Sequence, residues 1–360
     1  MTQDELFEKV CDHKKRGLPL VCYSFPGELE VTCILQDNTE HYCCTDYTES
    51  GFVFAPFNPD EKNFYIPTDH AQMLHARIPA KGINESKTGQ LLEREKSDET
   101  AKKEHIRLVE EGLSAIEKGV VQKVVLSRQE KLSVKSVDPV TTYKKLLGLY
   151  PDSFTYLWMH PKTGTWMGAT PESLFQLNGQ VFSTMSLAGT RTVEEVNDGE
   201  WTDKEMAEQQ YVTDFIKDQL EPLTEDLFIS ERRTHRAGNL LHLKNEISGS
   251  LKDDQYPIKD LVKALHPTPA VCGLPRKEAL EFILKNEVYN REFYTGFAGE
   301  MNILNQGRQR TRLFVNLRCL RLFKDEVLLF VGGGVTDKSR PEDEWNETVA
   351  KSQTVKRSLI

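Results

Sequence analysis

The sequence predicts an α+β protein, one unit in which large sheets are flanked by helices. Three observations carry that prediction. Short segments with alternating or β-branched character recur along the chain (QKVVLSRQEKLSV, SFTYLWMH, TWMGATPE, LFQL, QVFSTMSLAG, LFVNLRCLRLF, VLLFVGG). A smaller number of segments show helical spacing. No repeat, low-complexity tract or Pro/Ser-rich linker divides the 360 residues.

Taken in order, residues 18–58 hold short apolar runs broken by Pro, Gly and Asn, as in strands joined by turns. Residues 1–100 are read as a β-rich part of the same fold, and residues 101–360 as the region that carries the chemistry. Between Gly89 and Lys118, apolar Ile106, Leu108, Val109, Leu113 and Ile116 fall at near-helical spacing in a Glu/Lys-rich stretch, which predicts a long solvent-facing helix ending near Gly119. Further helices are expected at Asp138–Leu147, Asp203–Leu220, Asp260–Leu265, Arg276–Leu284 and from Glu342 onward.

Composition narrows the partners. A formal charge of -9 argues against nucleic acid and anionic membranes, which both select basic faces, and leaves a small molecule as the natural ligand. No window reaches the roughly 18 apolar residues of a membrane span, and the N-terminal residues resemble neither a signal nor a transit peptide, so a cytoplasmic protein is expected. Seven cysteines without a CxxC pair suit reduced thiols, and adjacent Cys43 and Cys44 are read as opposite faces of a strand. No coiled-coil heptads are present, and a monomer is expected.

Several residues could carry chemistry. Glu205 with Glu208, and Glu344 with Glu347, are each spaced to share a helical face. Carboxylates without Cys or His suit a hard cation such as Mg2+, although such pairs are often simply solvated. Lys123 lies within a strand pattern that sends Lys123, Val125 and Ser127 to one face; it is either a desolvated base or an edge-strand lysine reaching for solvent. Glu172, after Pro171 and between two strand-like runs, is placed at a turn. A partly apolar pocket there would keep it protonated. Arg318, within the apolar strand-like LFVNLRCLRLF, calls for a fork of oxygens from either a substrate carboxylate or an internal acid. The Gly332–Gly334 run ends a strand and lacks the residues of a nucleotide loop.

In chain order, QKVVLSR, MGATPESLF, SLAGTRT, KEMAEQQYV, ALHPTPAVCGLP, NREFYTGFAGEM, FVNLRCLRL and FVGGGVTDKSRPEDEWNETVAKS resemble segments of the chorismate-utilising enzymes. The likeness spans about Val120 to the end of the chain. It is greatest to the isochorismate synthases of menaquinone and siderophore pathways.

The resemblance implies two large antiparallel sheets packed as a sandwich, with helices outside and a deep cleft at one side. It implies Lys123 as the base that activates water and Glu172 as the acid that protonates the departing hydroxyl. Glu208 and Glu347 become Mg2+ ligands supported by Glu205 and Glu344. Gly189, Thr190, Arg318, Gly333 and Lys351 would hold the carboxylates of chorismate, while His242, His266, Tyr294, Leu317 and Phe330 would line the cleft.

Lys123, where anthranilate synthases usually have Gln, and Ala188, where aminodeoxychorismate synthases often have Lys, point to water as nucleophile and to no glutaminase subunit. Salicylate synthase and a non-catalytic or ammonia-dependent chorismate-binding paralogue are the alternatives. Gln209 departs from the histidine that often follows the metal glutamate in the family.

Overall fold

In a computed structural model the protein is described over residues 1–78, 99–134, 137–192, 201–237, 240–252, 257–357 and 359. Two large sheets carry the fold, and every strand pairing in them is antiparallel.

The nine-stranded sheet runs, in spatial order, Gly273–Leu274, Lys123–Ser133, Glu326–Val335, Cys319–Leu322, Gly164–Thr170, Phe154–His160, Leu20–Ser24, Glu30–Gln36 and Ala71–Arg77. The other runs Thr224–Ile229, Leu240–Leu251, Val181–Thr192, Ser173–Asn178, Arg308–Val315, Phe297–Asn305, Gly51–Ala55, Asn63–Pro67 and Cys43–Cys44, with Arg233–Ala237 paired beside Leu240–Leu251. N-terminal strands thus add to both sheets, through pairing of Leu20–Ser24 with Phe154–His160 and of Gly51–Ala55 with Phe297–Asn305.

Between the sheets lies an aromatic layer. Phe54 stacks on Trp158 and on Phe293, while Phe154 stacks on Phe314. Burying aromatic rings of this size from both sheets is the main apolar gain that holds the layers face to face. Helices cover the outer faces. Asp203–Leu220 and Pro257–Leu265 lie over the ten-stranded sheet through Val212, Ile216, Leu220, Ile258 and Leu261, and Gln3–Lys15 and Pro139–Leu149 lie over the other through Leu6, Val10, Tyr143 and Leu146. Among the described residues no helix is long and apolar enough to cross a membrane.

Several expectations change in detail. The helix predicted from Gly89 is seen at Glu99–Glu117, residues 79–98 lying outside the described residues. Rather than facing solvent all round, it buries His105, Leu108, Val109, Gly112 and Ala115, because its apolar stripe packs against the strand Lys123–Ser133 and the helix Pro341–Lys356. Its end does fall where expected, with Gly119 at φ +71° just beyond. Cys43 is exposed and Cys44 buried, as opposite faces require, and all seven cysteines are free thiols.

The largest difference concerns LFVNLRCLRLF. It is two strands rather than one: Arg308–Val315 belongs to the ten-stranded sheet and Cys319–Leu322 to the other. Asn316 to Arg318 cross between them, with Arg318 at φ +47°. Alternation reads a strand's face but not a change of sheet, so the crossing is invisible to it.

Candidate active site

A second chain crossing lies beside the first. The strand Gly164–Thr170 leaves the nine-stranded sheet, Pro171 and Glu172 turn the corner, and Ser173–Asn178 enters the ten-stranded sheet. The two crossings are stitched by backbone hydrogen bonds: the Val315 amide donates to the Glu172 carbonyl at 3.0 Å, and the Ala169 amide to the Arg318 carbonyl at 3.3 Å. Glu172 and Arg318, 146 positions apart in sequence numbering, are therefore held at one corner of the sandwich.

They face a cavity of about 160 Å3. Its lining includes Glu172, Gly189, Glu205, Glu208, His242, Tyr294, Leu317, Arg318, Phe330, Gly333, Glu347 and Lys351, so the structure brings together most of the predicted site. Tyr294 stacks on Phe330, ring centroids 5.5 Å apart, to form an apolar wall.

Lys123 opens its strand on the face shared with Val125, which lines the cavity; Val124 and Leu126 turn outward into the core under the flanking helices. Lys123 is fully buried. Its Nζ lies 2.9 Å from Glu208 Oε1, within ion-pair range, yet no acceptor stands in hydrogen-bonding geometry with it. Burying a charged group with one contact of this kind is costly.

Glu172 shows the reverse adaptation. Burial pushes its carboxyl up to about 8, against the pull of Lys123, Arg318 and Lys351 in that order. The acid is thus neutral at physiological pH.

The helical glutamates divide. A β-carbon added at Gly334 would lie 2.6 Å from Glu208 Oε1 and 3.0 Å from Lys123 Cε, and one added at Gly333 would lie 3.1 Å from Glu344 Oε2 and 3.6 Å from Glu347 Oε1. Carboxylates from two helices therefore converge on a cradle that only glycine leaves open. Lys351 donates to Glu347 Oε1 at 2.5 Å and to the Gly332 carbonyl at 3.0 Å.

Glu205 lies on the cavity wall, but its carboxylate is engaged by Arg191 at 2.8 Å and by Thr202 in a capping box at the helix start. Burial raises its pKa and those hydrogen bonds, acting together, bring it below the usual range. Among the described residues no three His, Cys, Asp or Glu side chains are gathered tightly enough to hold an ion unaided. Mg2+ characteristically takes one or two carboxylates and completes its shell with water and substrate oxygens, and the glycine cradle with Glu208, Glu344 and Glu347 fits that demand.

His266 does not line the cavity. It is buried, its Nε2 donates to the Pro56 carbonyl at 3.1 Å, and its ring packs edge-on against Phe297. The same segment reaches the cavity through Ala270 and Val271 instead. Thr190 lies in the strand Val181–Thr192, but its side chain is outside the described residues. Gln209 is turned from the cavity into the helix–sheet interface, where it donates to Ser186, Thr213 and Asn245.

Composition and motif reading missed Arg291 and Glu287, a fully buried pair at 2.6 Å. Arg291 also donates to the carbonyls of Val125 and Val271 and to Thr295, three cavity-lining residues, so it sets the width of the cavity at that end. Arg291 stands between Asn290 and Glu292 in sequence, so no apolar setting marked it for burial.

This geometry sets an acid, Glu172, and the carboxylates Glu208 and Glu347 on one cavity of an antiparallel sandwich, with Lys123 buried beside Glu208. The chain belongs to the chorismate binding enzyme family, whose model matches residues 61–360 and so takes in every residue that lines the cavity. Among curated relatives, isochorismate synthase DhbC of Bacillus subtilis is 32% identical over 269 residues, 70% of this chain and 66% of that protein. Isochorismate synthase EntC of Escherichia coli K12 is 28% identical over 313 residues, 83% of this chain and 78% of that protein.

Among solved structures, the menaquinone-specific isochorismate synthase MenF from Escherichia coli superposes with a TM-score of 0.76 at 23% identity, covering 95% of this chain and 89% of that one. Anthranilate synthase component I from Streptococcus pneumoniae gives 0.65 at 19%, covering 88% and 82%. At these identities the solved structures show the shared fold.

Proposed function

We propose that the protein converts chorismate to isochorismate in this cavity, in a Mg2+-dependent reaction. One observation carries the reading: a buried carboxyl that stays neutral to about pH 8 lines a cavity whose wall also holds Arg318 and Glu208, and the fully buried Lys123 lies 2.9 Å from that Glu208. Exchange of one ring hydroxyl for another needs a base for the incoming water and an acid for the departing oxygen, and these are the two groups present.

In the reaction so read, Lys123 as the free amine takes a proton from water while the oxygen bonds to C2 of the ring. The ring double bond shifts, and the C4–O bond breaks as Glu172 delivers its proton to the leaving hydroxyl. Water is consumed and released, so atoms balance and no redox cofactor enters. Arg318 and Lys351 offer positive charge to the substrate's carboxylates, and Tyr294, Leu317 and Phe330 exclude solvent from the ring. Glu208 and Glu347, with Glu344 behind them, would hold Mg2+, which would neutralise a substrate carboxylate when bound. Water as nucleophile removes any need for a glutaminase subunit, and we read the chain as acting alone.

The test is a product assay with purified protein, chorismate and Mg2+. Isochorismate without pyruvate is expected. Salicylate with pyruvate would replace the reading with a synthase that also eliminates, and turnover only with added ammonia would replace it with an aminating paralogue.

A further inference from the structure

His242 stands in the strand Leu240–Leu251, buried at 7% exposure, and is bonded through both ring nitrogens. Nδ1 lies 2.9 Å from the Gly189 carbonyl, and Nε2 lies 3.0 Å from Nη2 of Arg318. Each contact admits one reading. A carbonyl oxygen can only accept, so Nδ1 carries the proton; a guanidinium can only donate, so Nε2 presents its lone pair. The two bonds together select a single neutral tautomer.

We infer that His242 is a positioning residue, which spends its Nε2 lone pair on Arg318 and thereby aims that guanidinium across the cavity at a substrate carboxylate, rather than exchanging a proton with substrate. The inference deepens the proposed function and rests on it for the identity of the carboxylate. Three features of the site support it. Arg318 sits at φ +47° in the crossing between sheets, so no regular strand pairing fixes its side-chain direction. A neutral imidazole can hold a guanidinium in place without adding a negative charge that would compete with an anionic ligand, as a carboxylate would. Gly189, at φ +69°, turns its carbonyl to the ring and anchors the histidine from the facing strand Val181–Thr192. Burial, followed by the charge of Arg318, draws the imidazole pKa down to about 3, so the neutral form persists across the working pH range.

Two measurements on the full-length protein test this. In 15N-resolved histidine spectra of the substrate-free protein, His242 should show a protonated-type Nδ1 and an unprotonated-type Nε2 at pH 7; a protonated Nε2 overturns the proposal whether or not chorismate is the substrate. In the second, chorismate affinity and steady-state constants are compared for wild type, His242→Gln, His242→Leu, Arg318→Met and the His242→Leu/Arg318→Met double variant. Gln places an acceptor within reach of Arg318 and Leu does not. We expect KM for chorismate to rise about tenfold or more in His242→Leu with kcat within about threefold, Gln to recover most of the loss, and the double variant to bind chorismate no more weakly than Arg318→Met by calorimetry. Equal losses for Gln and Leu, a collapse confined to kcat, or losses that multiply in the double variant would overturn it. Wild-type protein that gives the expected spectrum but binds no chorismate would instead defeat the proposed function.

Discussion

Glu172→Gln separates the acid from its environment and has a magnitude that the structure supplies. An unfolded glutamate releases its proton near 4.5, whereas the buried Glu172 holds it to about 8. Between those values the folded protein binds one proton more than the unfolded chain, so stability falls as pH rises through that window and is level above it. At about 1.36 kcal/mol per pH unit, the wild type should lose about 4 kcal/mol from this group between pH 5 and pH 8. Relaxation of the cavity and entry of water reduce the figure, and a loss of at least about 2 kcal/mol is expected. A glutamine in the same place would stay neutral throughout and contribute no such loss.

Urea unfolding of wild type and Glu172→Gln at pH 5, 7 and 9 reads the difference directly, with the variant gaining on the wild type as pH rises. Activity should run the opposite way: the variant loses turnover at every pH, while wild-type kcat/KM falls about tenfold per pH unit above about 8 as the acid ionises. A stability difference that does not change between pH 5 and 9 would refute the claim that burial keeps this carboxyl protonated.

Other perturbations test the rest of the site. Lys123→Ala should leave the far-UV spectrum unchanged and lower kcat by about 10²- to 10⁴-fold, the range for loss of a general base; near-normal turnover would eliminate that role. Gly334→Ala sets a β-carbon 2.6 Å from Glu208 Oε1, the movable end of a side chain, so it should cost little in melting temperature but weaken the Mg2+ dependence of turnover. Glu347→Ala should raise the Mg2+ concentration giving half-maximal rate, and a wild-type titration would remove it from the ligand set. Arg291→Met leaves Glu287 buried without its partner and should destabilise the protein by about 3–5 kcal/mol in chemical denaturation.

What was legible in sequence was local in origin. Alternation gave the strands and the face of Lys123, since neighbouring residues on a strand must point oppositely. Helical spacing gave Glu205, Glu208, Glu344 and Glu347 as pairs on shared faces. The glycine run marked a backbone that other groups approach closely, and the order of eight motifs pointed to the fold.

Tertiary structure decided which of those groups meet, because contact between residues more than a hundred positions apart depends on chain crossings that no local period encodes. Arg318 was placed inside a strand, yet it lies at a crossing, and that displacement is what brings it to Glu172 and His242. Glu205 shares a helical face with Glu208 but is drawn off by Arg191 from the strand Val181–Thr192. His266 looked like a cleft residue and instead bonds to the Pro56 carbonyl, while Ala270 and Val271, unremarkable in sequence, form the wall. Residue types and periodicity set which side chains could do chemistry; the folding of two sheets against each other set their burial and neighbours, and it is burial and neighbours that make Glu172 an acid.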